Sequence, residues 1–185
     1  MERILYGKPI AEELDANSKL VFTNYENAND RKPKLTAITV GDNPASLLYV
    51  SRKEEKAIEL GVEFNWIKLN KATSQKDLEE KVELSAKDSD GIIIQLPLPE
   101  HINPEEAINK IPYNLDVDGL TALNLGNLYS EEYKIIPATS LAILEMIKFY
   151  KIDTTDKNIV IAAVSYTHLR AHETEADLVC RLLLE

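Results

Sequence analysis

The stretch Gly91–Gly119, GIIIQLPLPEHINPEEAINKIPYNLDVDG, does most to restrict what this chain can fold into. An apolar run, Ile92 to Ile94, meets an amide, Gln95, and then two prolines, Pro97 and Pro99. Proline cannot donate to a ladder, so a strand must stop here. In an open α/β sheet the side chains just past a strand's carboxyl end face the ligand crevice. Gln95 is therefore expected at a cleft. The later turn Asp116-Val117-Asp118-Gly119 joins two acids to a flexible glycine and is able to close over that cleft.

The rest of the chain supplies a sheet for that strand to join. Leu35–Val40 is a compact apolar run ended by Gly41-Asp42-Asn43-Pro44, and Val62–Leu69 alternates as a strand does. Helical periodicity covers Pro9–Tyr25, Ala45–Leu60 (with Gly61 as a stop) and Ser74–Ala86, where Ser74 and Asp77 form a capping pair. A short helix is expected over Pro104–Ile111 and a loop over Leu120–Ile136. An amphipathic helix is expected over Thr139–Tyr150 and a buried strand over Asn158–Ala163. Strands alternating with helices predict a three-layer α/β domain of βαβ units around a parallel sheet.

Composition narrows the function. Among 185 residues, 44% are hydrophobic and 28% charged, which suits a globular core. The net charge of −10 offers no basic stripe to meet nucleic-acid phosphates. No apolar run reaches the length of a membrane span, and the N-terminus lacks the regions of a signal peptide. The lone cysteine, Cys180, excludes an internal disulfide framework, and a cytoplasmic location is the expectation. No histidine, cysteine or carboxylate spacing suggests a metal.

Tyr49 and Lys53 stand four apart on the second helix, so they share a face and lie on the same rim as Gln95. Pairs at this spacing ordinarily belong to a solvated face, and this helix also carries Arg52, Glu54, Glu55 and Lys56. On spacing alone the solvated face is the stronger reading. The chemical alternative is a lysine held beside a phenol and a carboxamide, with the tyrosine ring offering a stacking surface.

Three fragments tip the balance: NPASLLYVSRKEEKAIELGVEF, DGIIIQLPLP and DVDGL. In order and separation they resemble the bifunctional methylenetetrahydrofolate dehydrogenase/cyclohydrolase family, over about Met1–Ala163. The resemblance implies a folate-binding catalytic domain over 1–137 and, over 138–163, the first strand of an incomplete Rossmann-type NAD(P) domain. It implies Lys53 as the catalytic lysine and Tyr49 as its partner and pterin-stacking residue. Gln95 would modulate the lysine, Asp118 would anchor the pterin, and Pro97 would add a substrate contact. The implied reaction oxidises methylenetetrahydrofolate with NADP and then hydrolyses the methenyl product to formyltetrahydrofolate. A homodimer is also implied. Two alternatives are a folate-binding fragment without turnover and the substrate domain of an amino-acid dehydrogenase-like protein.

The chain departs from the family at two places. Where the family reads P-C-T-P-x-G, this chain has Pro137-Ala138-Thr139-Ser140-Leu141-Ala142, with Thr139 expected to cap the next helix. After Ala163 the family's glycine-rich cofactor turn is missing, since no glycine follows Gly126. Residues Val164–Glu185 instead resemble the translation of a transposase-type sequencing adapter and are expected to be a non-native tail. Read as protein, Leu178, Val179, Leu182 and Leu183 would share one helical face. His168, His172 and Cys180 lie in that tail, which leaves His101 as the one histidine outside it.

Overall fold

The computed structural model describes residues 4–162 and 181–184. Helix α1 (Lys8–Asn29) opens with proline in its first turn and ends at Asp30, which takes the left-handed conformation. Strand β1 (Lys34–Val40) follows. The Asn43 side chain accepts from Ser46 N at 3.0 Å and starts helix α2 (Pro44–Leu60). Gly61 ends that helix at φ 85°, while Val62 N reaches back to Ala57 O at 2.8 Å. Strand β2 (Glu63–Leu69) leads to helix α3 (Gln75–Ser85), whose cap is the expected one: Ser74 Oγ accepts from Asp77 N at 3.2 Å.

Strand β3 (Gly91–Ile94) completes a parallel sheet of order β2-β1-β3. Ile38 pairs with Ile67 on one side and Ile94 on the other. The order places the topological switch between β1 and β3, where open α/β sheets leave a crevice. Beyond β3 come helices α4 (Pro104–Ile108), α5 (Ala122–Tyr129) and α6 (Ala138–Phe149).

Alternating strand residues serve different layers. Ile38, Val40, Ile92 and Ile94 pack with Leu78 and Val82 of α3 and with Ala107 of α4 to form the main core. At roughly 1.5–3 kcal/mol per fully buried aliphatic side chain, this layer is the chief source of stability. The opposite face buries Ala37 and Ile93 with Val50 of α2, and Leu35, Phe64 and Trp66 pack against them. At the base, Asp90 fastens α1 to the sheet. It accepts from both terminal nitrogens of Arg31 at 2.7 and 2.8 Å, from Tyr25 Oη at 2.8 Å and from Lys34 N at 2.9 Å. These donors, Arg31 foremost, hold its carboxyl well below the usual range.

The chain divides into two compact units, Met1–Met146 and Ile147–Glu185. In the second, strand β4 (Ile159–Ala162) pairs antiparallel with strand β5 (Arg181–Leu184).

Five expectations need correction. The strand Ile92–Leu96 stops at Ile94, because Pro97 has no N–H with which to extend the ladder. The helix predicted over Pro104–Ile111 closes at Ile108, because the Lys110 and Ile111 amides donate three residues back, to Ala107 O and Ile108 O, as turns do. The predicted loop Leu120–Ile136 contains α5, started by Thr121 Oγ1 accepting from Asn124 N. Thr139 does not cap α6: the helix begins at Ala138, and Pro137 O accepts from Leu141 N at 3.0 Å. Of the apolar face read as helical in the tail, Leu182 and Leu183 lie instead in strand β5, paired with β4, and Leu178 and Val179 lie outside the described residues. Residues 163–180, with His168, His172 and Cys180, lie outside the described residues.

Candidate active site

A cavity of about 710 Å³ opens on the α1/α2 side of the sheet. Tyr49, Lys53, Gln95 and Asp118 all line it. Its floor is apolar, from Leu35 and Ile93 on the strands and Ala57 on α2. The helix contributes residues at 49, 53, 56, 57 and 60, one continuous face. A face expected on spacing alone to meet solvent therefore meets a pocket.

Each side chain has a local reason for its position. Gln95 N still donates to Ile38 O at 2.9 Å, so the residue stays in line with β1 after the strand has formally ended. Its Nε2 donates to Leu96 O at 2.9 Å, which leaves Oε1 to accept from Lys53 Nζ at 3.1 Å. Ser46 Oγ donates to the same Leu96 carbonyl at 3.2 Å and ties the start of α2 to the Gln95 segment. The lysine and the amide thus belong to two elements that are pinned together. Tyr49, one turn earlier, lines the cavity while 42% exposed, so its ring is reachable.

Asp118 sits across the cavity. Burial pushes its carboxyl above the usual range, the Lys53 charge pulls it down, and the Asp116 charge adds to the rise. Among the described residues no hydrogen bond reaches that carboxylate. Its neighbour Asp116 is opposite in character. It is 1% exposed and accepts from Gly119 N, Thr121 N and Asn124 Nδ2. Burial alone would raise its pKa, but hydrogen bonds from Thr121 and Asn124 outweigh burial and hold it low. A desolvated acceptor, an ammonium, a carboxamide and an aromatic face around an apolar floor suit a flat heterocycle bearing hydrogen-bond donors.

A match to the family model for the tetrahydrofolate dehydrogenase/cyclohydrolase catalytic domain covers residues 5–118, more than half of the chain. The chain belongs to the tetrahydrofolate dehydrogenase/cyclohydrolase family. It is 37% identical over 163 residues to the bifunctional protein FolD of Streptococcus mutans, covering 87% of this chain and 57% of that relative. The chain is similar to a 5,10-methylenetetrahydrofolate dehydrogenase structure from the silkworm Bombyx mori. The TM-score there is 0.81 at 35% identity, over 85% of this chain and 55% of that one. It is similar also to the Trypanosoma brucei methylenetetrahydrofolate dehydrogenase-cyclohydrolase complexed with NADP cofactor and inhibitor. That likeness has a TM-score of 0.78 at 27% identity, over 85% of this chain and 55% of that chain. The chain thus spans little more than half the length of the family members it matches.

Of the residues expected from the family, four converge on the cavity. Pro97 does not: it is exposed and outside the lining. Sequence reasoning missed Gly91, Ile93 and Leu35, although strand alternation from Gln95 puts 91, 93 and 95 on one face. It also missed Arg52 and Lys56, which line the same cavity.

The family implies NADP. A dinucleotide pyrophosphate is cradled by a glycine-rich turn leading from a strand to a helix N-terminus in a parallel unit. Here β4 is paired antiparallel, and no glycine follows Gly126. The described residues do not fit the group. Among them, no cluster of His, Cys, Asp and Glu is placed to hold a metal ion, and no helix is long and apolar enough to cross a membrane.

Proposed function

We propose that residues 1–137 are the substrate-binding and catalytic part of a 5,10-methylenetetrahydrofolate dehydrogenase/cyclohydrolase. Residues 138–163 open its NAD(P)-binding domain, and 164–185 form a non-native tail. The observation that carries the reading is the 3.1 Å contact from Lys53 Nζ to Gln95 Oε1 inside a cavity that Tyr49 and Asp118 also line.

In this reading the pterin ring stacks on Tyr49, and Asp118 accepts from its donor edge. The one-carbon bridge then lies beside Lys53. In the hydrolytic step water adds to the methenyl carbon and loses a proton. The bond from that carbon to one ring nitrogen then breaks as the new hydroxyl gives up its proton to become the carbonyl, and the nitrogen gains a proton, which leaves a formyl group. Lys53 Nζ carries these protons, and Gln95 Oε1 holds the amine in place between transfers. Pro97 contributes at most from the rim. The preceding oxidation uses NADP in the parent enzyme, a reading supported by the NADP complex of the trypanosomal relative. A homodimer and a cytoplasmic location belong to the same proposal and rest on the family.

The test follows the absorbance of methenyltetrahydrofolate, whose hydrolysis needs no NADP. The chain is expected to hydrolyse it, and Lys53→Met to lose activity by about 10²–10⁴-fold while keeping its circular dichroism and its affinity for a folate analogue. A wild-type rate in Lys53→Met removes the lysine from the mechanism. A second reading, folate binding without turnover, draws on the chain's coverage of only 57% of its relative. Saturable analogue binding with no hydrolysis above the uncatalysed rate would select it.

A further inference from the structure

The turn that carries Asp118 has no regular secondary structure to hold it, yet both of its ends are fixed. At one end it lies beside β3: Ile92 bridges Asp116 in parallel fashion, and Ile92 N donates to Leu115 O at 2.7 Å. At the other end Thr121 begins α5. A single amide spans the interval. Asn124, on the first turn of α5 and 4% exposed, donates through Nδ2 to Tyr113 O at 2.9 Å and to Asp116 Oδ2 at 2.8 Å. Asp116 passes the restraint on by accepting from Gly119 N at 2.9 Å, the residue directly after Asp118.

We propose that Asn124 is a positioning residue for substrate binding, acting through buried Asp116 to hold the turn that presents Asp118 to the cavity. The proposal rests on the folate reading above. A buried carboxylate needs its donors, because one left short of partners is strongly disfavoured. Losing the Asn124 amide removes one of the donors that hold buried Asp116, at Oδ2, where the Thr121 amide stays at 2.8 Å. The cheapest relief is for the turn to shift until water reaches the carboxylate, and Asp118 shifts with it. Lys53 and Gln95 stand on other elements and share no hydrogen bond with this network. The defect therefore falls on binding and spares the proton-transfer apparatus.

The experiment is a double-mutant cycle on the whole chain, using Asn124→Ala, Asp118→Asn and the pair. Calorimetry with a folate analogue gives Kd, and methenyltetrahydrofolate hydrolysis gives KM and kcat. Asn124→Ala is expected to weaken binding about tenfold and to raise KM with kcat within about twofold. In the Asp118→Asn background the same change should cost less than about twofold, because there is no longer a carboxylate to aim. If Asn124→Ala does not fold, Asn124→Ser, which keeps a shorter donor, enters the same cycle. Additive losses, or a fall in kcat with KM unchanged, overturn the positioning role and leave the folate reading intact. An unchanged Kd in Asp118→Asn overturns both, since Asp118 would then hold no ligand.

Discussion

The two faces of the three-stranded sheet draw on alternate residues of the same strands, yet one is filled and the other is hollow. Toward α3 and α4 the strands offer Ile38, Val40, Ile92 and Ile94, all buried against branched side chains from the helices. Toward α1 and α2 they offer Leu35, Ala37, Gly91 and Ile93, and a cavity of about 710 Å³ remains on that side. Backbone and hydrogen bonding are shared, so side-chain size at alternate positions is a principal cause of the difference. One layer stabilises the domain, and the other leaves room for a ligand. The polar groups of the site follow the same division: Lys53, Gln95 and Asp118 all lie on the hollow side.

Three substitutions would break or sharpen this contrast. The largest effect is expected from Ile38→Ala, which opens a void in the filled face at a residue with no exposed surface. It should cost about 2–5 kcal/mol in urea unfolding. A loss under about 1 kcal/mol would mean that the two faces contribute alike.

Gly91→Ala comes next. A Cβ there would stand 2.6 Å from Val117 Cγ1 and 3.3 Å from Leu35 Cδ1, so the acidic turn must give way. Stability should fall by about 1–3 kcal/mol and folate-analogue binding should weaken. Adding Val117→Ala should restore both, because it removes the closer obstacle. A double variant as impaired as the single one would place the fault elsewhere.

The smallest effect is the most diagnostic. Burial raises the Asp118 carboxyl, so the folded state binds more protons than the unfolded state just above the usual carboxylate range. Stability is then lost as pH rises through the raised pKa. Asp118→Asn should be the more stable protein at neutral pH, by less than about 1 kcal/mol, and the gain should vanish below the ordinary carboxylate range. The same variant should bind a folate analogue less well. Thermal unfolding across pH decides it: a variant less stable than wild type at neutral pH would mean that attraction to Lys53 outweighs the cost of burial.

Much of the fold could be read from local chemistry. The capping residues Asn43 and Ser74, the stop at Gly61 and the apolar runs of β1 and β3 act over a few residues and are visible in sequence. Helix α5 was not legible in that way. Its first turn is set by Thr121 and Asn124, and Asn124 owes its burial to a carbonyl and a carboxylate eight or more residues earlier. Strand β5 is similar: a leucine run has no fixed conformation until a partner edge is present.

For the site, the sequence by itself determined the chemistry available: a lysine one helical turn from a tyrosine, an amide at a strand end, and an acid beside a glycine. Family resemblance in three fragments said which chemistry to expect of them. Only the tertiary structure decided that these groups meet. It pinned the Gln95 segment to the start of α2, turned the Tyr49–Lys53 face toward a cavity, and buried Asp116 among hydrogen-bond donors while leaving Asp118 on the cavity wall. The physical reason is that convergence depends on strand order and on side-chain volume across elements distant in sequence. Two aspartates two residues apart look alike until burial and hydrogen-bond donors are distributed unequally between them.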